Sequence, residues 1–100
     1  MLFSHYESDG EMWTGSGPRV FTRRVAFDAR FLRAPVVHVS MGLIDVETSV
    51  NLRTDIAADE IDREGFSIVF RTWGDSRIAR IRADWLAIGA AHDPDIWVVD

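Results

Sequence analysis

The chain contains no cysteine. That excludes a disulfide framework, a thiolate metal site and a thiol nucleophile. It contains no lysine either, so its 11 cationic side chains other than histidine are all arginine. Either this reflects the composition of a high-GC bacterial genome, or it exploits the planar guanidinium fork. That fork suits bidentate contact with acids and vicinal hydroxyls and is common at interfaces. No apolar run approaches the ~18 residues of a membrane-spanning helix. The opening MLFSHYESDGEM lacks the basic segment and apolar stretch of a secretory signal. The expectation is a protein without a membrane span, cytoplasmic or exported by a route the sequence does not display. Positive charge is in deficit, with a formal net charge of -5, which argues against nucleic acid as a partner.

Catalytic patterns are missing as well. His5, His38 and His92 are far apart and lack the spacing of paired metal ligands. There is no nucleophile elbow and no phosphate loop. Glu7, Asp9 and Glu11 form an acidic patch that is too sparse for a calcium loop. The sequence therefore predicts no enzyme, no cofactor and no metal site.

What is present is a globular composition, 47% hydrophobic over 100 residues. At this size about two-thirds of the unfolded surface can be buried, so one core and one domain over residues 1–100 are expected. The signal throughout is a period of two, the mark of strands. Met1 to Ser8 alternates weakly and reads as a short strand. Asp9 to Pro18 reads as a loop, with Met12 and Trp13 folding back over the core in preference to forming a contact surface. Arg19 to Phe27 reads as a strand with Phe21, Arg23 and Val25 on one parity. Asp28 to Ala34 is a connection with Phe31 and Leu32 tucked inward. Val36 to Val46 is the strongest strand pattern: Val37, Val39, Met41 and Leu43 form one apolar stripe, and Val36, His38, Ser40 and Gly42 lie opposite.

Glu47 to Val50 reads as a turn. Asn51 to Glu64 balances helix propensity in its second half against alternation in its first; its neighbours favour a strand over Leu52 to Ala58 and a turn over Asp59 to Glu64. Gly65 to Trp85 reads as a hairpin. Phe66, Ile68, Phe70 and Thr72 share one face of its first strand, and Ala79, Ile81, Ala83 and Trp85 share one face of its second. Trp73-Gly74-Asp75-Ser76 forms the turn, since Gly and Asp tolerate positive φ and Asp and Ser bond local backbone. Gly89 to Pro94 is a loop, and Ile96 to Val99 is a last short strand or an extended tail. Short strands at regular spacing predict an all-β sandwich or barrel.

Several of these elements agree, in order and spacing, with a known family. Phe27 is followed by Pro35-Val36-Val37, then by DVETSVNLR (Asp45 to Arg53), by Gly65-Phe66, by FRTWGDSRI (Phe70 to Ile78) and by Trp85. In these elements the sequence resembles the H-type lectin domain, the family of the snail agglutinins and the discoidin C-terminal domain. The resemblance covers more than half of the chain. It implies a six-stranded antiparallel β-sandwich that assembles as a homotrimer or as a hexamer. It implies glycan partners of the galactose or N-acetylgalactosamine type, or a capsular polysaccharide, and a multivalent adhesive role of the kind found on cell or phage-like particle surfaces.

By the same resemblance, Arg53 hydrogen-bonds the sugar and Trp73 packs against it. Both roles fit their chemistry, a donor fork and an indole face with one N–H. Gly74 stands where the family has a sugar-bonding histidine and offers only backbone; Asp75 is the local candidate acceptor. The family also takes an aspartate from a neighbouring subunit's N-terminal loop, for which Asp9, Glu11 and Ser16 are the candidates. Each residue has a plainer reading. Arg53 could pair with Asp45 or Asp55, Trp73 could be a core or interface residue, and Trp85 is expected in the core. His38 is either a partly exposed strand residue or lies on a threefold axis. The rival to a lectin is a structural trimerisation module of a phage-like or gene-transfer particle, with Arg53 and Trp73 buried in subunit contacts.

Overall fold

The computed structural model describes residues 1–5 and 10–90. Asp9 and the Glu7 part of the acidic patch lie outside the described residues, as do His92 and the Ile96 to Val99 segment. The described elements are β1 (Leu2–Ser4), a single-turn helix α1 (Glu11–Thr14), β2 (Arg19–Ala26), β3 (Val36–Val46), β4 (Thr54–Asp59), β5 (Gly65–Thr72) and β6 (Ile78–Ile88). The strands form two three-stranded sheets, ordered β1-β6-β3 and β2-β5-β4. Every pairing is antiparallel. The six-stranded antiparallel sandwich expected from the sequence is therefore the fold. No helix among the described residues is long and apolar enough to cross a membrane.

The expected hairpin is corrected. Strands β5 and β6 do not pair; they lie in opposite sheets, joined by an arch over residues 73–77. Alternation reports which face of a strand is buried, not which strand lies beside it. Phe66, Ile68 and Phe70 on β5 and Ile78, Ile81 and Ala83 on β6 are all buried. Their apolar faces meet across the ~10 Å gap between sheets. Each large apolar side chain removed from water contributes about 1.5–3 kcal/mol. Phe3, Met12 and Val25 complete the buried cluster. At one end Trp85 packs on Phe66 and Phe27, with ring centroids at 5.2 and 5.9 Å, while keeping an exposed edge.

Two bulges change the parities read from sequence. On β3 the register passes from Met41↔Ala83 to Leu43↔Arg82, leaving Gly42 without a partner. The extra residue reverses the alternation. Leu43 therefore turns outward, and Ile44 and Val46 continue the inward row begun by Val37, Val39 and Met41. On β6 the register passes from Asp45↔Arg80 to Val46↔Ile78, and Ile78 turns into the core in the same way. Other boundaries shift too. Strand β4 begins at Thr54, leaving Leu52 outside it and exposed, and Leu32 is exposed while Phe31 stacks edge-on against Phe27. The loop expected over Asp9 to Pro18 contains one helical turn that buries Met12 but leaves Trp13 half-buried.

Candidate functional site

The arch between the sheets is organised by two buried polar side chains. Ser76 is fully buried. Its hydroxyl donates to the Asn51 carbonyl and accepts from the Arg53 N–H at 2.8 Å. The Thr72 hydroxyl donates to the Arg53 carbonyl at 2.6 Å. These bonds clamp the Asn51–Arg53 segment, which leads into β4, onto the arch that leaves β5. A buried hydroxyl has to be satisfied, and these bonds satisfy both Ser76 and Thr72.

Arg19 is the second organiser, only 5% exposed. Its guanidinium donates to carbonyls of Gly17 (2.9 Å), Met12 (3.1 Å), Glu11 (3.3 Å), Gly74 (3.4 Å) and Ser76 (2.7 Å). Burial works against its charge, and the nearby Glu11 carboxylate offsets part of that cost. One side chain thus ties the N-terminal loop to the arch, helped by the Gly17 N–H donating to the Gly74 carbonyl at 2.8 Å.

On this base Gly74 adopts φ +72°, a left-handed conformation that glycine takes without steric cost. The Arg53 side chain lies over it, with Cδ and Nε 3.4 Å from where a Cβ would sit. The arch therefore brings Arg53 and Gly74 together, with Trp73 and Asp75 as the chain neighbours of Gly74, and all four are exposed. Trp73 is 41% exposed and lines an open groove of about 400 Å3 with Pro18, Val20 and Arg71.

The ion pairs weighed for Arg53 are taken by other residues. Asp45 pairs with Arg80 at 2.8 Å and Asp55 with Arg71 at 3.7 Å. Among the described residues Arg53 makes no ion pair. Of the N-terminal candidates, Glu11 is exposed on α1 and Ser16 is exposed beside Gly17. His38 is exposed on the outer face of β3. The sequence reading missed Arg19, Thr72 and Ser76 as positioning residues. A signal existed for Arg19: it shares the parity of Phe21 and Val25, and a charge on an apolar stripe needs a buried set of acceptors.

The fold is a two-sheet β-sandwich that exposes Trp73 on its inter-sheet arch with Arg53 laid beside it. The model of the H-type lectin domain family matches residues 22–88, and the chain belongs to that family, a lectin class that binds carbohydrate. A protein of Fuscovulum blasticum described as ATP synthase subunits region ORF 7 is 48% identical over 100 residues, covering 100% of this chain and 87% of the relative. Discoidin-2 of Dictyostelium discoideum is 28% identical over 81 residues, 80% of this chain and 32% of the relative. The native structure of recombinant discoidin II superposes with a TM-score of 0.78 at 24% identity, covering 89% of this chain and 34% of that one. The chain thus spans about a third of the discoidins it resembles.

Proposed function

We propose that this domain is a lectin that binds galactose-type or N-acetylgalactosamine-type glycans through the arch, with Arg53 as donor, Trp73 as apolar platform, and Gly74 and Asp75 completing the rim. The observation that carries the reading is the exposed Arg53–Trp73 pair flanking Gly74, on an arch locked by buried Ser76 and Arg19. A pyranose offers a C–H face to an indole and hydroxyls to a guanidinium. Gly74 leaves room and backbone polarity where the family's histidine would stand.

The reading includes a homotrimer. Val36, Leu86 and Ile88 are 76%, 57% and 65% exposed. Register pairs Val36 with Ile88 and His38 with Leu86 on the outer face of one sheet. Apolar neighbours of this kind are suited to burial between subunits, and three weak sites on one assembly gain by avidity. The rival structural module covers Arg53 and Trp73, both exposed in the protomer, in subunit contacts, and so predicts an assembled protein that binds no glycan.

Glycan-array binding and calorimetry with galactose and N-acetylgalactosamine test the proposal. Arg53→Ala and Trp73→Ala are each expected to weaken binding by about 1–3 kcal/mol. A folded wild-type protein that binds no glycan on the array would overturn it.

A further inference from the structure

A second polar cavity opens on the other sheet, beside α1, and the lectin reading of the arch does not use it. It has a volume of about 380 Å3 and is lined by Trp13, Asp45, Val46, Glu47, Thr48 and Arg80 among others, within the usual range for small-molecule sites. Its floor is ordered by specific bonds. Arg80 Nε and Nη2 both donate to Asp45 Oδ2, at 3.0 and 2.8 Å. Asp45 Oδ1 has no hydrogen bond among the described residues. Glu47 Oε1 accepts from the Ser49 N–H at 3.1 Å, and that bond is the main cause holding the Glu47 carboxyl below the usual carboxylate range.

The aromatic wall is fixed too. The Arg77 guanidinium stacks over the Trp13 ring at 4.5 Å from its centroid, and its Nε donates to the Trp13 carbonyl at 3.0 Å. Stacking of this kind orients the indole.

We propose that this cavity is a second glycan-contact site, taking a neutral pyranose through Trp13, Arg80, Asp45 and Glu47. The proposal rests on the lectin reading of the domain but not on the Arg53–Trp73 site. Charge complementarity points to a neutral polyol. Asp45 is already matched by Arg80, and Glu47 Oε1 already accepts from the Ser49 N–H, so an anionic ligand would have to displace Asp45 from Arg80. Vicinal hydroxyls need not: one accepts from the remaining guanidinium N–H groups while its neighbour donates to Asp45 Oδ1 or to Glu47. The indole supplies the apolar contact that a sugar face requires. The two sites would flank one arch, since Ser76 anchors the first and Arg77 orients the second. A single domain could then engage two residues of a branched or extended glycan.

The test is a backbone amide NMR titration of the full chain with galactose, N-acetylgalactosamine, glucose and mannose, in the wild type and in Trp73→Ala. The expected result is that at least one of these sugars shifts the amides of Val46, Glu47 and Thr48 saturably, and that Trp73→Ala leaves this response intact. Asp45→Asn should weaken it at least fivefold without altering the response around Gly74. Trp13→Phe, which retains ring packing, should weaken it likewise if Asp45→Asn disturbs the strand pair. Shifts confined to residues 72–76 would overturn the second site and leave the lectin reading standing. Shifts confined to Val46–Thr48 would support the second site and remove the first. No saturable shift at either place with any of the four sugars would overturn both.

Discussion

At the scale of single residues, the arch depends on side chains that do not face the proposed ligand. Ser76 bonds both the Asn51 carbonyl and the Arg53 N–H. Ser76→Ala leaves both part-buried groups without this partner, so a stability loss of about 1 kcal/mol is expected in denaturant titration. Glycan affinity should fall as well, although Ser76 touches no sugar, because the Arg53 backbone loses its anchor. Equal affinity in the variant would mean that Arg53 is positioned by something else. His5 makes a different prediction. It is buried against Phe21 at 4.9 Å, its Nε2 has no partner, and desolvation lowers its pKa below 6.5. The unfolded chain takes up the proton first as pH falls. The stabilisation from keeping His5 neutral is therefore full above about pH 6.5 and is lost as pH falls through the lower folded value. Thermal melts between pH 7 and 5 should show declining stability, and His5→Phe should flatten that slope.

At the scale of elements, Gly65 opens β5 against the carbonyl of Val25, and a Cβ there would run into that backbone oxygen. Backbone cannot yield as a side-chain tip can. Gly65→Ala is expected to cost about 1–3 kcal/mol as an overpacking substitution, read as a lowered denaturation midpoint. The same scale separates what the sequence made legible from what it did not. The buried face of β5 was readable, because Phe66, Ile68 and Phe70 alternate without interruption. The partner of β5 was not, since a period of two describes one strand and says nothing of its neighbour; an arch and a hairpin show the same alternation. Leu43 was assigned inward because a bulge at Gly42 leaves no trace in hydrophobic alternation. At the proposed site, Arg53 and Trp73 are candidates through the family resemblance, Gly74 as a departure from the family's histidine, and Asp75 as a local acceptor beside it. Arg19 offers only its parity as a signal, because its tie to the arch runs through the Gly74 and Ser76 carbonyls, which meet it only in the fold.

At the scale of the whole molecule, the outer face of the β1-β6-β3 sheet carries Val36, Leu86 and Ile88 with more than half of each exposed. Burying each such side chain contributes about 1.5–3 kcal/mol, against an association cost of several kcal/mol for lost translation, rotation and ordering. One patch of this size in a dimer gives little surplus, whereas a third subunit that closes a ring adds two interfaces for one further loss of freedom. The proposed cyclic trimer covers the patch with the larger surplus. Leu86→Asp and Ile88→Asp place charge at its centre and should convert the proposed trimer to monomer in light scattering at micromolar concentration. Calorimetric affinity for a free monosaccharide is then expected to remain within about twofold if the arch is complete within one protomer. Retention on a glycan-coated surface should fall by roughly 10²-fold, the loss of avidity. Loss of monosaccharide binding on dissociation would instead mean that a neighbouring subunit supplies part of the site, as the Glu11 and Ser16 candidates allow. A wild-type protein already monomeric at that concentration would remove the trimer and return the apolar patch to an unpartnered surface.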